Sequence, residues 1–287
     1  MRRALAELRE EESRVGRIVA VANQKGGVAK TTSVVSLGAA FADAGLTTLL
    51  VDLDAQACLT FSLGVDPEDV ELSVADVLLD GVAAGTVVRH LDGVDLLPAT
   101  IDLSGAEAML LPVDDRERVL RTALEPVRDR YDVVLLDCTP SLGLLTINAL
   151  TAADEVLVPV QCEMLSHRGV GQLLDTVADV RRLLNPDLTV RGLLPTMFDA
   201  RTAHSRAVLA DVGERYDLPV LTPIPRSVRF AEAAGMGTSI LATARRSAGA
   251  QAYRQAAREL MAAWRPVRKS TSKRGEKRRK TAVTAKP

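Results

Sequence analysis

The chain has few aromatic residues, few cysteines and no long apolar run. Aromatic residues make up 3% of its 287 residues, so a core must be built from leucine, valine, alanine and isoleucine. The three cysteines, Cys58, Cys138 and Cys162, have no metal-like spacing and no C-x-x-C pair, which predicts reduced thiols. No stretch approaches the roughly 20 apolar residues of a membrane span, and the first residues continue into acids rather than a signal sequence. The absences argue against a membrane-spanning or secreted protein and predict a cytoplasmic one.

Apolar residues make up 47% of the chain, enough for one large core. Four runs, at 18–22, 48–53, 133–136 and 156–160, have almost no polar interruption, as is typical of strands covered on both faces of a parallel sheet. Strand and helix patterns alternate, which predicts an α/β fold with a doubly wound, mostly parallel sheet flanked by helices. We expect one domain over residues 17–265, preceded by an N-terminal extension, residues 1–16.

The periodicity and the turn residues also predict individual elements. Strands are expected at 17–23, 47–53, 94–97, 155–160, 188–196 and 219–224, with a further one in the apolar run at 133–136. Helices are expected at 30–44, 73–79 with Ser73 as the cap, 114–130, 143–152, 168–184, 203–216 and 248–264.

The net charge of −1 hides an asymmetry. Between residues 268 and 286 only Glu276 is acidic, whereas nine residues are basic. They are Arg268, Lys269, Lys273, Arg274, Lys277, Arg278, Arg279, Lys280 and Lys286. This composition predicts a basic disordered tail over 266–287. Such a tail attracts phosphate backbones without sequence preference, although a merely solubilising role stays open.

Residues 24–32 lie between an apolar run and a helical pattern, the strand–loop–helix context that a phosphate-binding loop requires. Gly26 and Gly27 let backbone N–H groups turn around an anion, and a helix N-terminus adds its dipole. Lys30 supplies a charge for the β- and γ-phosphates of a nucleotide, and the Thr31 hydroxyl is placed to ligate Mg²⁺. The predicted nucleotide-binding loop comprises Gly26, Gly27, Val28, Ala29, Lys30, Thr31 and Thr32.

Two acids stand at the ends of predicted strands, where open α/β sheets bind their ligands. Asp137 is a candidate Mg²⁺ anchor, acting through water, and Asp54 is placed to orient an attacking water. Together with Thr31 they form the predicted metal site. The alternative for a strand-end aspartate is capping or turn formation.

The loop does not match G-x-x-x-x-G-K-[ST]; it matches the deviant form K-G-G-x-x-K-[ST], with Lys25 in front. In this it resembles the deviant Walker ATPases and, among them, the ParA/Soj partitioning group. Residues 52–56 are similar to that family's D-x-D-P-Q, 131–143 to its Walker B strand and following loop, 159–163 to a further strand end, and 224–233 to I-P-R-N-V-R-x-x-E-A. The matches follow the family's order over nearly the whole chain.

The resemblance implies an ATPase that uses Mg²⁺, forms a homodimer with ATP and hydrolyses it slowly until a partner stimulates it. Lys25 then reaches the partner subunit's ATP, and Lys25, Lys30 and Asp54 are the catalytic residues. Adenine contacts are expected, by analogy, from Met197, Phe198 and Pro225. Nonspecific duplex DNA binding in the ATP state is expected from Arg201, Arg229 and Arg226, with Arg245 and Arg246 less favoured. The implied role is chromosome or plasmid partitioning on the nucleoid with a ParB-like, centromere-binding adaptor.

Two other classes share the loop. A MinD-like, membrane-associated spatial regulator would end in an apolar-faced amphipathic helix, which the basic tail lacks, so no stable membrane anchor is expected. An iron–sulfur carrier or a synthetase is the third class, and the missing C-x-x-C pair argues against the carrier.

The sequence departs from the ParA/Soj pattern at four places. Ala29 stands where the family usually has Gly, and a positive φ there would cost roughly 1 kcal/mol. Ala55 and Thr139 each replace a proline, and residues 242–250 diverge from the family's usual loop.

Overall fold

The computed structural model describes residues 16–162 and 166–264, without the side chains of 166–168, 204 and 212. Seven strands form one sheet in the order β3-β4-β2-β5-β1-β6-β7. They are β1 (Arg17–Val21), β2 (Thr48–Leu53), β3 (Arg89–His90), β4 (Asp95–Leu97), β5 (Val133–Cys138), β6 (Glu155–Gln161) and β7 (Thr189–Thr196). Every pairing is parallel except that of the short edge strand β3 with β4. The predicted fold class is confirmed.

Twelve α-helices occur in the described ranges. They are α1 (Lys30–Asp43), α2 (Cys58–Ser62), α3 (Val74–Leu79), α4 (Ala84–Val87), α5 (Ala106–Leu110), α6 (Val119–Arg128), α7 (Leu144–Ala152), α8 (Ser166–Leu183), α9 (Ala203–Tyr216), α10 (Arg229–Gly235), α11 (Ile240–Thr243) and α12 (Ala248–Trp264). Short 3₁₀ turns occupy Pro67–Asp69, Ile101–Gly105 and Arg116–Arg118. Within the part of the chain that the structure describes, no helix combines the length and apolar character needed to cross a membrane.

Each face of the sheet packs against its own apolar layer. Helices α1 and α12 pack against each other on one face, where Phe41 and Tyr253 are fully buried. Helices α3, α6, α7 and α8 cover the other face with leucine, valine and alanine. Since both faces are covered, the central strands β2 and β5 are buried along their whole length, which explains their unbroken apolar runs.

Two element predictions were wrong. The predicted strand at 219–224 is only an isolated bridge between Leu193 and Val220, because prolines at 219 and 223 remove ladder donors. The helix predicted from residue 114 begins only at Val119, because Asp115 takes a left-handed φ of 52° and a 3₁₀ turn follows. Strand β3 was missed, since two residues carry no periodicity. The helix capped by Ser73 has the predicted cap, in a capping box with Asp76.

Glu155, the first residue of β6, anchors three elements at the amino-terminal edge of the sheet. Its carboxylate is 1% exposed and forms an ion pair with Arg191 of β7, whose Nε donates over 2.8 Å. Arg17 of β1 lies 3.7 Å away, and the indole Nε1 of Trp264 donates to Oε2 over 2.8 Å. The end of α12 is therefore fixed to this edge.

Candidate functional site

The carboxyl ends of β1, β2 and β5 bring two acids together. Asp137 of β5 is in register with Val21 of β1 on one side and with Asp52 of β2 on the other. The loop that follows β1 leads directly into α1 at Lys30. The glycine-rich loop and the strand-end acids thus meet at one edge of the sheet, as expected for a ligand site in an open α/β fold.

Neighbouring strands hold the loop in place. The buried Asn23 donates from Nδ2 to the carbonyl of Pro159 in β6 over 2.7 Å, and its Oδ1 accepts from the Lys25 N–H at 2.9 Å. The hydroxyl of Thr196, at the end of β7, donates to the Val28 carbonyl over 3.1 Å. These bonds, two of them buried, stabilise the loop.

The two loop lysines differ in environment. Lys30 is buried, and its ammonium donates to the Lys25 carbonyl over 3.2 Å. Burial lowers the pKa of Lys30, although the nearby Asp137 carboxylate opposes this shift. Lys25 is half-buried, and its Nζ lies 3.5 Å from Oε1 of Gln161, the last residue of β6. Lys30 therefore points inward, toward Asp137, whereas Lys25 lies along the rim of the loop.

Ala29 has a left-handed backbone, with φ 64° and ψ 37°. Ala29, which replaces the family's usual glycine, therefore has a positive φ, and a β-carbon is disfavoured in this conformation. The Ala29 carbonyl accepts from the N–H and the hydroxyl of Ser33, at 3.0 and 2.7 Å, and Ser33 also contacts the Tyr253 hydroxyl at 3.0 Å. This network, which reaches to α12, holds the strained residue in place.

Asp137 has an uncompensated carboxylate. It is 1% exposed, and neither oxygen makes a hydrogen bond with any described residue. Burial and the Asp52 carboxylate raise its pKa well above the usual range, only partly offset by the neighbouring Thr31 hydroxyl and Lys30 ammonium. An unsatisfied buried carboxylate beside a hydroxyl and a lysine needs a cation and its waters. The residues here therefore fit magnesium.

Asp52 and Asp54 play different parts. Asp52 is fully buried; its Oδ2 accepts from the Thr60 N–H and hydroxyl at 2.9 and 2.8 Å, and its Oδ1 accepts from the Asp54 N–H at 3.1 Å. Burial raises the pKa of Asp52 to about 6 despite these bonds. Asp54 is only half-buried, and its Oδ1 accepts from the Gln56 N–H at 3.0 Å. The Asp52 carboxylate is thus hydrogen-bonded within the protein, whereas the Asp54 carboxylate remains accessible to a ligand.

The three predicted adenine contacts come from two segments that pair. Phe198 and Pro225 form an isolated parallel bridge, in which the Phe198 N–H donates to the Ile224 carbonyl over 2.9 Å. Met197 has a left-handed φ of 50°. All three side chains are half-buried. The structure brings them together beyond the end of β7, on the same edge of the sheet as the loop.

The predicted DNA-binding arginines are exposed. Arg201 is 90% exposed and bonds through Nε and Nη2 to both carboxylate oxygens of Asp199, at 3.0 and 2.9 Å. These bonds lower the pKa of Asp199 to about 2. Arg226 and Arg229 flank the start of α10 and are exposed. Of the less favoured pair, Arg245 lies 3.8 Å from Asp43.

Three residues that hold the site were not singled out from the sequence: Asn23, Gln161 and Thr196. The only sequence signal for Asn23 is a polar residue between an apolar run and a glycine-rich loop. The other two are the last residues of their strands, and their contacts depend on β6 lying next to β1 and β7 lying next to β6. Glu163, at the end of one motif, lies outside the described residues.

The fold and this edge of the sheet define a phosphate-loop protein with a front lysine and two strand-end acids. A family model described as an AAA domain matches residues 16–190. The sporulation initiation inhibitor protein Soj of Bacillus subtilis is 46% identical over 251 residues, covering 86% of this chain and 99% of Soj. The chromosome partitioning protein ParA of Myxococcus xanthus is 42% identical over 253 residues, covering 86% and 88%.

A solved structure of similar fold is the cobyrinic acid a,c-diamide synthase of Mycobacterium smegmatis with a bound ATP analogue and magnesium. It has a TM-score of 0.79 and 53% identity, covering 87% of this chain and 96% of that one. Given the extent of these matches and the loop geometry, the chain belongs to the ParA/Soj family of partitioning ATPases within the AAA-domain proteins.

Proposed function

We propose that the chain is an ATP-driven switch: it binds ATP with magnesium, dimerises in that state, binds DNA nonspecifically as a dimer, and resets by hydrolysis. The observation that carries the proposal is the buried Asp137 carboxylate, which lies beside Thr31 and Lys30 with neither oxygen satisfied by a hydrogen bond. A fold tolerates such a group when a ligand compensates it.

Thr31 and Asp137 would hold magnesium, Asp137 through water, and the ion would supply positive charge that neutralises phosphate oxygens. Lys30 would exchange its bond to the Lys25 carbonyl for the phosphates. The left-handed Gly27 and Ala29 turn the loop backbone around the same point. Asp54, half-buried and at the end of β2, would orient the attacking water.

The position of Lys25 supports the proposed dimerisation. Its ammonium lies at the rim beside Gln161 rather than among the acids that surround Lys30. A second subunit placed face to face would receive this charge at its own phosphates, so that loss of the γ-phosphate weakens the dimer. Nucleotide state would then set oligomeric state.

DNA binding would use Arg201, Arg226 and Arg229, which are exposed beyond the same edge of the sheet. A dimer doubles this set, and nonspecific affinity rises steeply with the number of phosphates neutralised. The cargo is a chromosome or a plasmid, and a ParB-like adaptor would stimulate hydrolysis.

The test is light scattering of the full chain with ATP and Mg²⁺ or with ADP, alongside duplex DNA binding at two salt concentrations. We expect a dimer only with ATP, persistent in Asp54→Ala and absent in Lys25→Ala. Arg182→Ala, which removes an exposed arginine paired with Asp179, serves as the matched control and should behave as the wild type. An unchanged mass in both nucleotides, without DNA affinity, would refute the switch.

A second candidate is an ATP-dependent synthetase, favoured by the likeness to the diamide synthase. ATP turnover measured with and without cobyrinic acid separates the two. Stimulation by cobyrinic acid supports the synthetase, whereas stimulation by DNA and an adaptor supports the switch.

A further inference from the structure

Tyr253 of α12 reaches the phosphate loop through one side chain, that of Ser33. Helix α12 packs along α1, and the Tyr253 hydroxyl lies 3.0 Å from the Ser33 hydroxyl, in a pair that is fully buried. Among the described residues, Ser33 is the only hydrogen-bond partner of the Tyr253 hydroxyl. Any effect of this hydroxyl on the loop therefore passes through Ser33.

The direction of the two hydrogen bonds follows from the number of available protons. The Ser33 hydroxyl has one hydrogen, and the Ala29 carbonyl, 2.7 Å away, can only accept it. The Tyr253 hydroxyl must then donate to the Ser33 Oγ. Burial raises the pKa of Tyr253, so the hydroxyl keeps this proton at neutral pH.

The position of the Tyr253 ring is itself fixed. The ring meets that of Phe230, on α10, edge to face, with 5.7 Å between centroids. Gly249, one turn earlier in α12, leaves room for Phe230, because a β-carbon there would lie 2.7 Å from the Phe230 ring. The packing of α10 against α12 thus holds the tyrosine hydroxyl at one place relative to Ser33.

The restraint acts on the peptide group between Ala29 and Lys30. Its carbonyl accepts both the N–H and the hydroxyl of Ser33, at 3.0 and 2.7 Å. Because a peptide group is planar and trans, fixing the carbonyl also fixes the Lys30 N–H, which points the opposite way, out of the first turn of α1. Free N–H groups at a helix N-terminus bind phosphate. The φ of 64° at Ala29 is disfavoured for a residue with a β-carbon, so this arrangement needs a restraint.

We propose that Tyr253 is a positioning residue for nucleotide binding: through Ser33, it holds the peptide group that follows Ala29 in the orientation that the phosphates require. The inference rests on the nucleotide binding of the proposed function and adds to it a residue 220 positions from Ser33 in sequence. The tyrosine offsets part of the conformational cost of alanine at a position where glycine is unstrained.

The test uses Tyr253→Phe, which removes only the hydroxyl, alone and combined with Ala29→Gly. Ser33→Ala, which removes the link itself, is the second variant. The matched control is Tyr131→Phe, because the Tyr131 hydroxyl also donates one hydrogen bond, to Asp95 over 2.7 Å, but lies at the amino-terminal edge of the sheet.

Two quantities are measured on the full chain. One is the dissociation constant of the fluorescent nucleotide mant-ADP with Mg²⁺, which involves neither hydrolysis nor the ATP state. The other is the rate of amide hydrogen exchange in residues 24–33, in EDTA and without nucleotide, which reports how often the loop opens.

In Tyr253→Phe we expect mant-ADP to bind roughly threefold to tenfold more weakly, the effect of one lost hydrogen bond. Exchange in residues 24–33 should become faster by a similar factor, and Ser33→Ala should have at least as large an effect on both quantities. Combined with Ala29→Gly, the effects of Tyr253→Phe should shrink to less than about twofold, because glycine reaches the positive φ without the restraint. Tyr131→Phe should leave both quantities at their wild-type values.

Unchanged exchange of residues 24–33 in Tyr253→Phe would overturn the inference. So would a loss of affinity that Ala29→Gly does not reduce, since a tyrosine with a merely structural role affects both backgrounds alike. An equal loss of affinity in Tyr131→Phe would also contradict it. If the wild type failed to bind mant-ADP, the proposed function would be refuted, whereas the exchange rates, measured without nucleotide, would still decide whether Tyr253 positions the loop.

Discussion

The ammonium of Lys30 donates a 3.2 Å hydrogen bond to the backbone carbonyl of Lys25, so one lysine fastens the backbone that carries the other. The bond shapes the loop in the absence of phosphate. A ligand that draws the Lys30 ammonium away also frees the Lys25 carbonyl, and the backbone at Lys25 is then less restrained. Through this one hydrogen bond, ligand binding at Lys30 affects the position of Lys25.

Replacing Asp137 should separate stability from ligand affinity. Asp137→Asn replaces a buried carboxyl group, whose charged form burial disfavours, by a neutral amide, so the free energy of unfolding without ligand should rise by roughly 1 to 3 kcal/mol. Magnesium-dependent nucleotide affinity should fall, because the cation loses its anchor. Urea denaturation in EDTA and nucleotide titration with Mg²⁺ measure the two effects. The exposed Asp129→Asn is the matched control, and a loss of stability in Asp137→Asn contradicts the account.

Asp52 should give the chain a pH-dependent stability. Its folded pKa, about 6, lies above the ordinary value of 3.8, so the folded state binds the proton more tightly than the unfolded state. The contribution of this proton to the free energy of unfolding is therefore lost as pH rises through 6. Between pH 5 and pH 7 the loss should be about 1 kcal/mol. Denaturation midpoints of the wild type and Asp52→Asn in EDTA test this, and an equal slope in both would be the contrary result.

Ala29→Gly should stabilise the chain, because glycine tolerates the φ of 64° that a β-carbon disfavours. Glycine removes the strain of this conformation but has more entropy to lose from the unfolded state. The net gain in the free energy of unfolding is roughly 0.5 to 1 kcal/mol. Ala39→Gly, in the interior of α1, is the control and should cost about 1 kcal/mol. Thermal unfolding compares them. Destabilisation by Ala29→Gly would mean that the methyl group packs productively.

Asp199 should restrain DNA binding by Arg201. Both carboxylate oxygens bond the guanidinium, so Asp199→Asn releases an exposed arginine and removes one negative charge. DNA affinity should rise severalfold at 50 mM salt, with a steeper salt dependence. Arg229→Ala should weaken binding more than Arg201→Ala, since Arg201 is already paired. Asp179→Asn, which frees Arg182 on α8, is the control for charge alone and should change affinity less.

The sheet was predictable because its strands are buried on both faces and so appear as unbroken apolar runs. The loop was predictable because Gly26, Gly27 and Lys30 lie close together in sequence. The pairing of Asp52 with Asp137 and the contacts of Thr196 and Gln161 were not, because they depend on strand order. Val21 meets Asp137 across 116 positions of sequence, and no local pattern encodes that.

The proline-rich stretch after α9 shows a different limit. Its apolar residues suggested a strand, but prolines 219, 223 and 225 allow only scattered bonds, such as the one from the Ile224 N–H to the Pro195 carbonyl. The apolar side chains there favour a strand, but the prolines lack the backbone N–H groups that a strand needs, so the segment forms only isolated bridges.

The uncompensated carboxylate of Asp137 has a consequence for the lifetime of the protein in a cell. A ligand that binds only the folded chain lowers the fraction that opens, and proteases act on that fraction. Chains that hold nucleotide and magnesium would outlast those that do not. The abundance of the protein would then follow the supply of magnesium and ATP, without any dedicated regulator.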